Sequence, residues 1–518
     1  MADVIWGSIG ALASALKEKK FSAVELTKTF IKRIEIYDRQ TNAILNINPK
    51  AFETAKKLDE DLAKGNIRGP LHGIPVMVKD NINTSDQMPT TAGSIALQEN
   101  FAKKDAFLVE KLRLSGAIIL AKTNLSEWAN FRSVRSISGW SSAGGQSRNP
   151  YALDRTPGGS SSGSGIAASS GYCPAAIGTE TSGSIVNPAA MNGVVGIKPT
   201  VGLISRTGIV PISFSQDTAG PLTRSVADAA RILTILAGTD HTDPKTENSD
   251  KFKKNYFNFL NDHGLKGKRI GLAINYCGFD ERVDRVIEES ILAMKCSGAD
   301  VIETELVAVS EIREFEFEVL LHEFKTGINK YLAGQKLQNK VRNLKDLIEF
   351  NMQFSESTMP YFSQDIFEMA LEKDNLECSS YKEALFNCQK VSRKNGIDKT
   401  LREKNLDTIM LPTAGLPWLI DFVNGDNRRG TSAAAAAVAG YPNVSLPAGY
   451  IYGLPVNISF VGKKWSEAKL IEIASGFEKV SPERIEPKFQ NSAEIMPYGK
   501  GCVPSNLQKT DITKRPVW

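Results

Sequence analysis

Histidine is scarce in this chain, with only His72, His241, His263 and His322 among 518 residues. Histidine is the usual general base near neutral pH, so acid–base chemistry here is expected to draw on other side chains. Cysteine is nearly as thin. The six (Cys173, Cys277, Cys296, Cys378, Cys388, Cys502) are scattered and form no C-x-x-C pair. That usage argues against a disulfide framework or a zinc site, and suits a reducing compartment. No run of 18 apolar residues occurs, so a membrane partner is not expected. The opening MADVIWGSIG has no basic segment followed by an apolar one. No signal segment is predicted from it, and a cytoplasmic location is the default. Charge of one sign is also missing: 63 basic against 58 acidic residues leave +5, with no stripe of interleaved basic and aromatic residues. A nucleic-acid partner is therefore not expected.

What is present is an ordinary globular composition, 42% hydrophobic and 23% charged, in a chain long enough for one large domain or several smaller ones. Residues 8–64 read as helices. Ser22 with Glu25 is a capping-box pair, and Val24, Thr27, Phe30, Ile31 and Ile34 follow at helical spacing. Pro49 opens another helix and Gly65 closes it. Ile74 to Val78 is a continuous apolar run, the pattern of a strand buried on both faces, with Lys79 and Asp80 at its end. Alternation follows: a helix near 105–115, a strand at 117–120, a small-residue helix GIAASSGY, strands at AAIGTE and VVGIKP, then a helix at SVADAARILTILAG. This layout predicts an α/β layered fold with a mixed, mostly parallel central sheet. Residues 240–400 differ, being more charged and largely helical in period, with KRIGLAIN the one clear strand. Strands return at DTIMLPTAG and YPNVSLPAGYIYGLPVNISFVG, which predicts one domain of about 1–480. Its core spans about 70–235 and resumes at 405–480, with the helical segment inserted between. A tail over 481–518 carries Pro482, Pro487, Pro497, Pro504 and Pro516 and is expected to be extended or partly disordered. No internal repeat is visible.

Several segments could carry chemistry. GGSSSGSG at 158–165 has the composition of a flexible linker. Gly159 to Gly163 also matches G-x-S-x-G, which would make Ser161 the nucleophile of an elbow. That reading needs a downstream acid and histidine at strand ends. None of His241, His263 or His322 has such a context. Ser14 with Lys17, and Lys325-Thr326-Gly327, match fragments of penicillin-binding motifs, but both lie in helical patterns and read as chance. No G-x-x-x-x-G-K-[ST] phosphate loop occurs. A better constellation joins Lys79 at a buried strand end, where desolvation favours the neutral amine, to Ser184 in GTETSGSIVNP. Ser184 lies between a strand and a helix start. Backbone N–H groups of residues 181–184 could converge there on a developing oxyanion, with a serine of 158–165 relaying protons. Ser–Lys systems substitute for Ser–His–Asp. Taken singly, Lys79 also reads as a surface lysine and Ser184 as a helix cap.

Together these residues resemble the amidase signature family, and its peptide amidase branch in particular. The resemblance covers nearly the whole chain to about residue 480. Its centre runs from GGSSSGSG through SFSQDTAGP, with LHGIPVMVKDNIN as the lysine strand and TNLSEWANFRS and SISGWSSAGGQSRNPY as branch-specific stretches. The resemblance implies a single α/β domain with helices on both faces of a twisted sheet. It implies Lys79 as catalytic lysine, Ser160 as a bridging serine preceded by a cis peptide, and Ser184 as acylated nucleophile. Thr181, Ser182, Gly183 and Ser184 match oxyanion-hole positions, and Ala129 a position lining the acyl site. Where the family commonly has two glycines before the nucleophile, this chain has Ser182-Gly183. Ser182 is therefore expected to accept whatever φ the turn imposes and to narrow the pocket. The implied activity is hydrolysis of a linear carboxamide, such as a C-terminal peptide amide or a similar small amide, to acid and ammonia, with no cofactor and no metal. The glutaminase subunit of a tRNA-dependent amidotransferase is the alternative. A non-catalytic relative is disfavoured, because Lys79, Ser160 and Ser184 are all present.

Overall fold

The apolar runs do become strands. The computed structural model describes residues 2–335 and 337–493. Along the chain lie β1 (Ile44–Ile47), β2 (Pro75–Lys79), β3 (Ile118–Thr123), β4 (Trp140–Ser141), β5 (Gly145–Gln146), β6 (Ala175–Glu180), β7 (Val195–Lys198) and β8 (Thr218–Thr223). After these come β9 (Arg269–Ala273), β10 (Asp300–Thr304), β11 (Thr408–Pro412), β12 (Asn443–Ile451) and β13 (Leu454–Val461). β4 and β5 form a separate hairpin. The other eleven make one mixed sheet in the order β1-β3-β2-β6-β8-β7-β12-β13-β11-β9-β10. Parallel pairing is concentrated in two blocks, β3/β2/β6 and β11/β9/β10, and the strands between and beyond them pair antiparallel.

Helices cover both faces. The helix Ser162–Ser169 packs with Val186–Met191 against one side of the β2–β6–β8–β7 region, and Val226–Leu236 packs with Phe107–Leu114 and Glu467–Glu478 against the same strands. Every residue of β2, β3, β6, β7 and β8 is accordingly buried. β2 and β3 carry the apolar runs that such double coverage selects, whereas β8, TAGPLT, is buried without one.

The capping box is formed as read: Ser22 accepts from the Glu25 N–H, and the Glu25 carboxylate accepts from the Ser22 N–H at 2.8 Å. The small-residue helix begins earlier than expected, at Ser162, inside the glycine–serine run. In the main sheet, three strands have no counterpart in the sequence pattern: β1 and β10, which are its two edges, and β8, which lies between β6 and β7; the β4–β5 hairpin has none either. The segment between β8 and β11 contributes the long helix Val309–Ala333, whose Leu320, Phe324 and Ile328 share a hydrophobic cluster with Trp128, Phe131 and Val210. This packing carries the helical segment directly over the loops that follow β3.

The start of the tail is docked. Phe489 stacks on Tyr37 with ring centroids 4.7 Å apart, and Arg484 donates to the Ser169 carbonyl at 2.6 Å. Pro497, Pro504 and Pro516 lie outside the described residues. No helix among the described residues is long and apolar enough to cross a membrane.

Candidate active site

Lys79 ends β2, and Thr179 and Glu180 end its parallel neighbour β6. Beyond β6 the pairing turns antiparallel. The carboxyl ends of the parallel strands thus open a crevice at a reversal of direction, where α/β sheets place their ligands. Lys79 is fully buried there. Its Nζ lies 2.6 Å from Ser160 Oγ, 2.9 Å from Thr179 Oγ1 and 3.4 Å from the Thr179 carbonyl. A neutral amine has two N–H donors and one lone pair. As the ammonium, Nζ donates to all three oxygens; in the neutral amine one of the three contacts falls to the lone pair. Burial pulls the Lys79 ammonium down to about 7, against the opposing pull of Asp217 and Glu180.

Ser160 is also fully buried, and the Gly159–Ser160 peptide bond is cis. Ser161, the elbow candidate, is spent elsewhere: its hydroxyl donates to the Thr179 carbonyl at 3.0 Å and accepts from the Thr179 N–H at 3.2 Å. No histidine attends it. His72 bonds the Leu58 carbonyl, His322 bonds Glu318 and the Asp374 carbonyl, and His241 and His263 are exposed. The elbow reading fails on both counts.

Ser184 sits 9% exposed at the end of the loop from β6 to the helix Val186–Met191. Its hydroxyl has no hydrogen bond among the described residues, and none joins it to Ser160 Oγ. The two segments are tied through the backbone instead, Ser161 N–H donating to the Ser184 carbonyl at 3.2 Å. Around Ser184 the backbone donors are left open. The N–H groups of Ser182, Gly183 and Ser184 donate to no acceptor among the described residues. The next two are taken, since Ile185 N–H and Val186 N–H both reach Glu180 Oε2, at 2.8 and 3.1 Å. The turn imposes its left-handed backbone at Gly183, with φ +97, and not at Ser182. The expected strain at Ser182 is therefore absent, and its side chain is exposed. Thr181 is pinned through Oγ1, which donates to half-buried Asp217 at 2.6 Å, and desolvation pushes that carboxyl up to about 6.

Two cavities meet this loop. The larger, about 1340 Å³, is lined by Ser182, Asn130, Phe131, Glu316 and Arg313 among others. The smaller, about 470 Å³, reaches Asn81, Ala129, Thr179 and Thr181, with Ile209 to Phe214 as an apolar wall. Ala129 lies in a run of three left-handed residues, Trp128, Ala129 and Asn130, with φ 50, 52 and 71. The run is held where Trp128 N–H meets the Ala92 carbonyl at 2.8 Å. Next to it, buried Arg132 pairs with Glu127 at 2.9 Å and lies over the Phe362 ring.

The amidase family model matches residues 25–471, across the whole of this site. The chain is a member of the amidase family. As an amidase it is similar to the peptide amidase from Stenotrophomonas maltophilia, at 44% identity and a TM-score of 0.88, over 93% of this chain and 98% of that one. It is 38% identical to a probable amidase of Arabidopsis thaliana, over 92% of this chain and 90% of that protein. It is 32% identical to a glutamyl-tRNA(Gln) amidotransferase subunit from Thermoanaerobacter pseudethanolicus, over 93% of this chain and 98% of that protein. This amidase is an amide-hydrolysing enzyme. Thr179, Asn81, Asp217, Gln216 and Glu316 also stand around the site, and none is marked out by the sequence motifs alone. The first four lie within or beside the quoted motifs. Glu316 carries no local signal and arrives through the packing of the Val309–Ala333 helix.

Proposed function

We propose that this amidase hydrolyses linear carboxamides, C-terminal peptide amides or similar small amides, through an acyl-enzyme on Ser184. What carries the reading is the three unpartnered N–H groups beside an unpartnered serine hydroxyl, next to a lysine that burial keeps near neutrality. Neutral Lys79 takes the Ser160 proton, and Ser160 takes the Ser184 proton as Ser184 Oγ attacks the amide carbon. Negative charge then develops on the former carbonyl oxygen, where the N–H groups of Ser182, Gly183 and Ser184 stabilise it. As the C–N bond breaks, Ser160 returns a proton to the leaving nitrogen. Ammonia departs, and water attacks the ester by the same relay run again.

The larger cavity supports a peptide as acyl group, since 1340 Å³ far exceeds the volume of a simple aliphatic amide. The likeness to a peptide amidase points the same way. The likeness to an amidotransferase component supports a second reading, glutamine hydrolysis with ammonia passed to companion subunits. Ammonia release measured across peptide amides, aliphatic and aromatic amides and glutamine separates them. The first reading expects amidated dipeptides to lead, and glutamine alone as substrate would overturn it.

A further inference from the structure

Gln216 and Glu316 meet behind the loop that carries the free N–H groups. Gln216 lies just ahead of β8, and Glu316 on the long helix of the inserted segment; both are buried. Gln216 Nε2 donates to the Thr181 carbonyl at 3.1 Å and to Glu316 Oε1 at 3.0 Å. The Ser182 side chain lies beside the same carboxyl. Burial raises the Glu316 pKa, and the neighbouring Ser182 and Gln216 side chains offset only part of the rise.

The geometry of the peptide group gives this cluster its consequence. In a trans peptide the carbonyl and the following N–H lie in one plane and point in opposite directions. Holding the Thr181 carbonyl toward Gln216 therefore turns the Ser182 N–H the other way. Ser182 N–H is one of the three left without an acceptor. Asp217 holds the Thr181 side chain, but nothing else among the described residues holds its carbonyl. Gln216 in turn is oriented by Glu316, because an amide that spends one N–H on a carboxylate cannot rotate freely.

We infer that Gln216 and Glu316 are positioning residues that fix the Thr181–Ser182 peptide plane with its N–H facing the site, and so set up the oxyanion hole. The inference rests on the reading of Ser184 as nucleophile. It also gives the inserted helical segment a part in the chemistry. Glu316 comes from that segment.

Gln216→Met keeps the volume and removes the donor. Turnover of an amidated dipeptide is expected to fall about tenfold to hundredfold in kcat, with KM within about threefold, somewhat less than the loss of a direct oxyanion donor. A peptide aldehyde, whose adduct oxygen would occupy the same hole, should lose affinity by the same factor. Glu316→Ala should show the same split, and Glu316→Gln, which keeps an acceptor for Gln216, should recover most of it. Should Gln216→Met fail to fold, the Glu316 pair decides. A kcat within twofold of wild type, or a loss confined to KM with aldehyde affinity intact, overturns the inference. Ser184→Ala is run in parallel. If that variant is dead while Gln216→Met is unaffected, only the inference is lost. If Ser184→Ala turns over normally, the nucleophile reading fails and takes the inference with it.

Discussion

Two stretches of this amidase share a composition and behave oppositely. Residues 158–165 and 181–184 are both built almost wholly of glycine and hydroxyl side chains. In the first, every serine hydroxyl is engaged, although the N–H groups of Ser160, Ser162 and Ser164 donate to no acceptor among the described residues. Gly159 N–H reaches Asn187, Ser161 N–H the Ser184 carbonyl and Gly163 N–H the Asn124 carbonyl, while the Ser161, Ser162 and Ser164 hydroxyls all donate to backbone carbonyls. Its glycines answer to packing, not slack: a Cβ on Gly163 would stand 2.3 Å from the Ala43 carbonyl oxygen. In the second, three N–H groups and one hydroxyl are left open. The difference lies in the hydroxyl: Ser184 alone among these serines combines an unbonded hydroxyl with adjacent open N–H groups. Within the first stretch, Ser160 points its hydroxyl at Lys79.

The comparison can be broken experimentally, most sharply at Ser184. Ser184→Ala is expected to lower amide turnover by roughly 10⁴-fold or more, as loss of a serine nucleophile does, and to abolish labelling by a fluorophosphonate probe. Lys79→Met should cost somewhat less, about 10³-fold, by removing the proton acceptor while leaving the hole intact. In the wild type, kcat/KM should fall about tenfold per pH unit below the Lys79 pKa of about 7, because protonated Lys79 has no lone pair for Ser160. A profile flat from pH 8 to pH 5 would remove lysine from the relay. Ser161→Ala probes the first stretch and should have the smallest effect on chemistry. Labelling persists, whereas unpairing the Thr179 backbone costs about 1–3 kcal/mol in chemical denaturation. Labelling lost at Ser161 and kept at Ser184 would reverse the comparison.

Much of the fold is legible in the chain, and the missed strands of the main sheet have two causes. β2, β3 and β6 announce themselves because both their faces are covered, which favours unbroken apolar sequence. β1 and β10 escape because they are short, partly exposed sheet edges, where ILNI and DVIET show neither a long run nor a clean alternation, and β8 escapes because its buried TAGPLT carries no apolar run. Within the site, Lys79 and Ser184 can be placed from strand ends and turn residues, and the resemblance adds Ser160. Glu316 cannot be found that way, since nothing local in its helix distinguishes it from its neighbours.

The order of residues alone establishes that histidine is too scarce to be the expected base, that a lysine ends a buried strand, and that a glycine is available in the turn before Ser184. Tertiary packing had to choose which of three consecutive serines is free to act. It also put the left-handed turn on Gly183 and kept the donors of residues 182–184 open. The reason is physical. A residue's identity sets which hydrogen bonds it can make, but segments distant in the chain set which of them are already made.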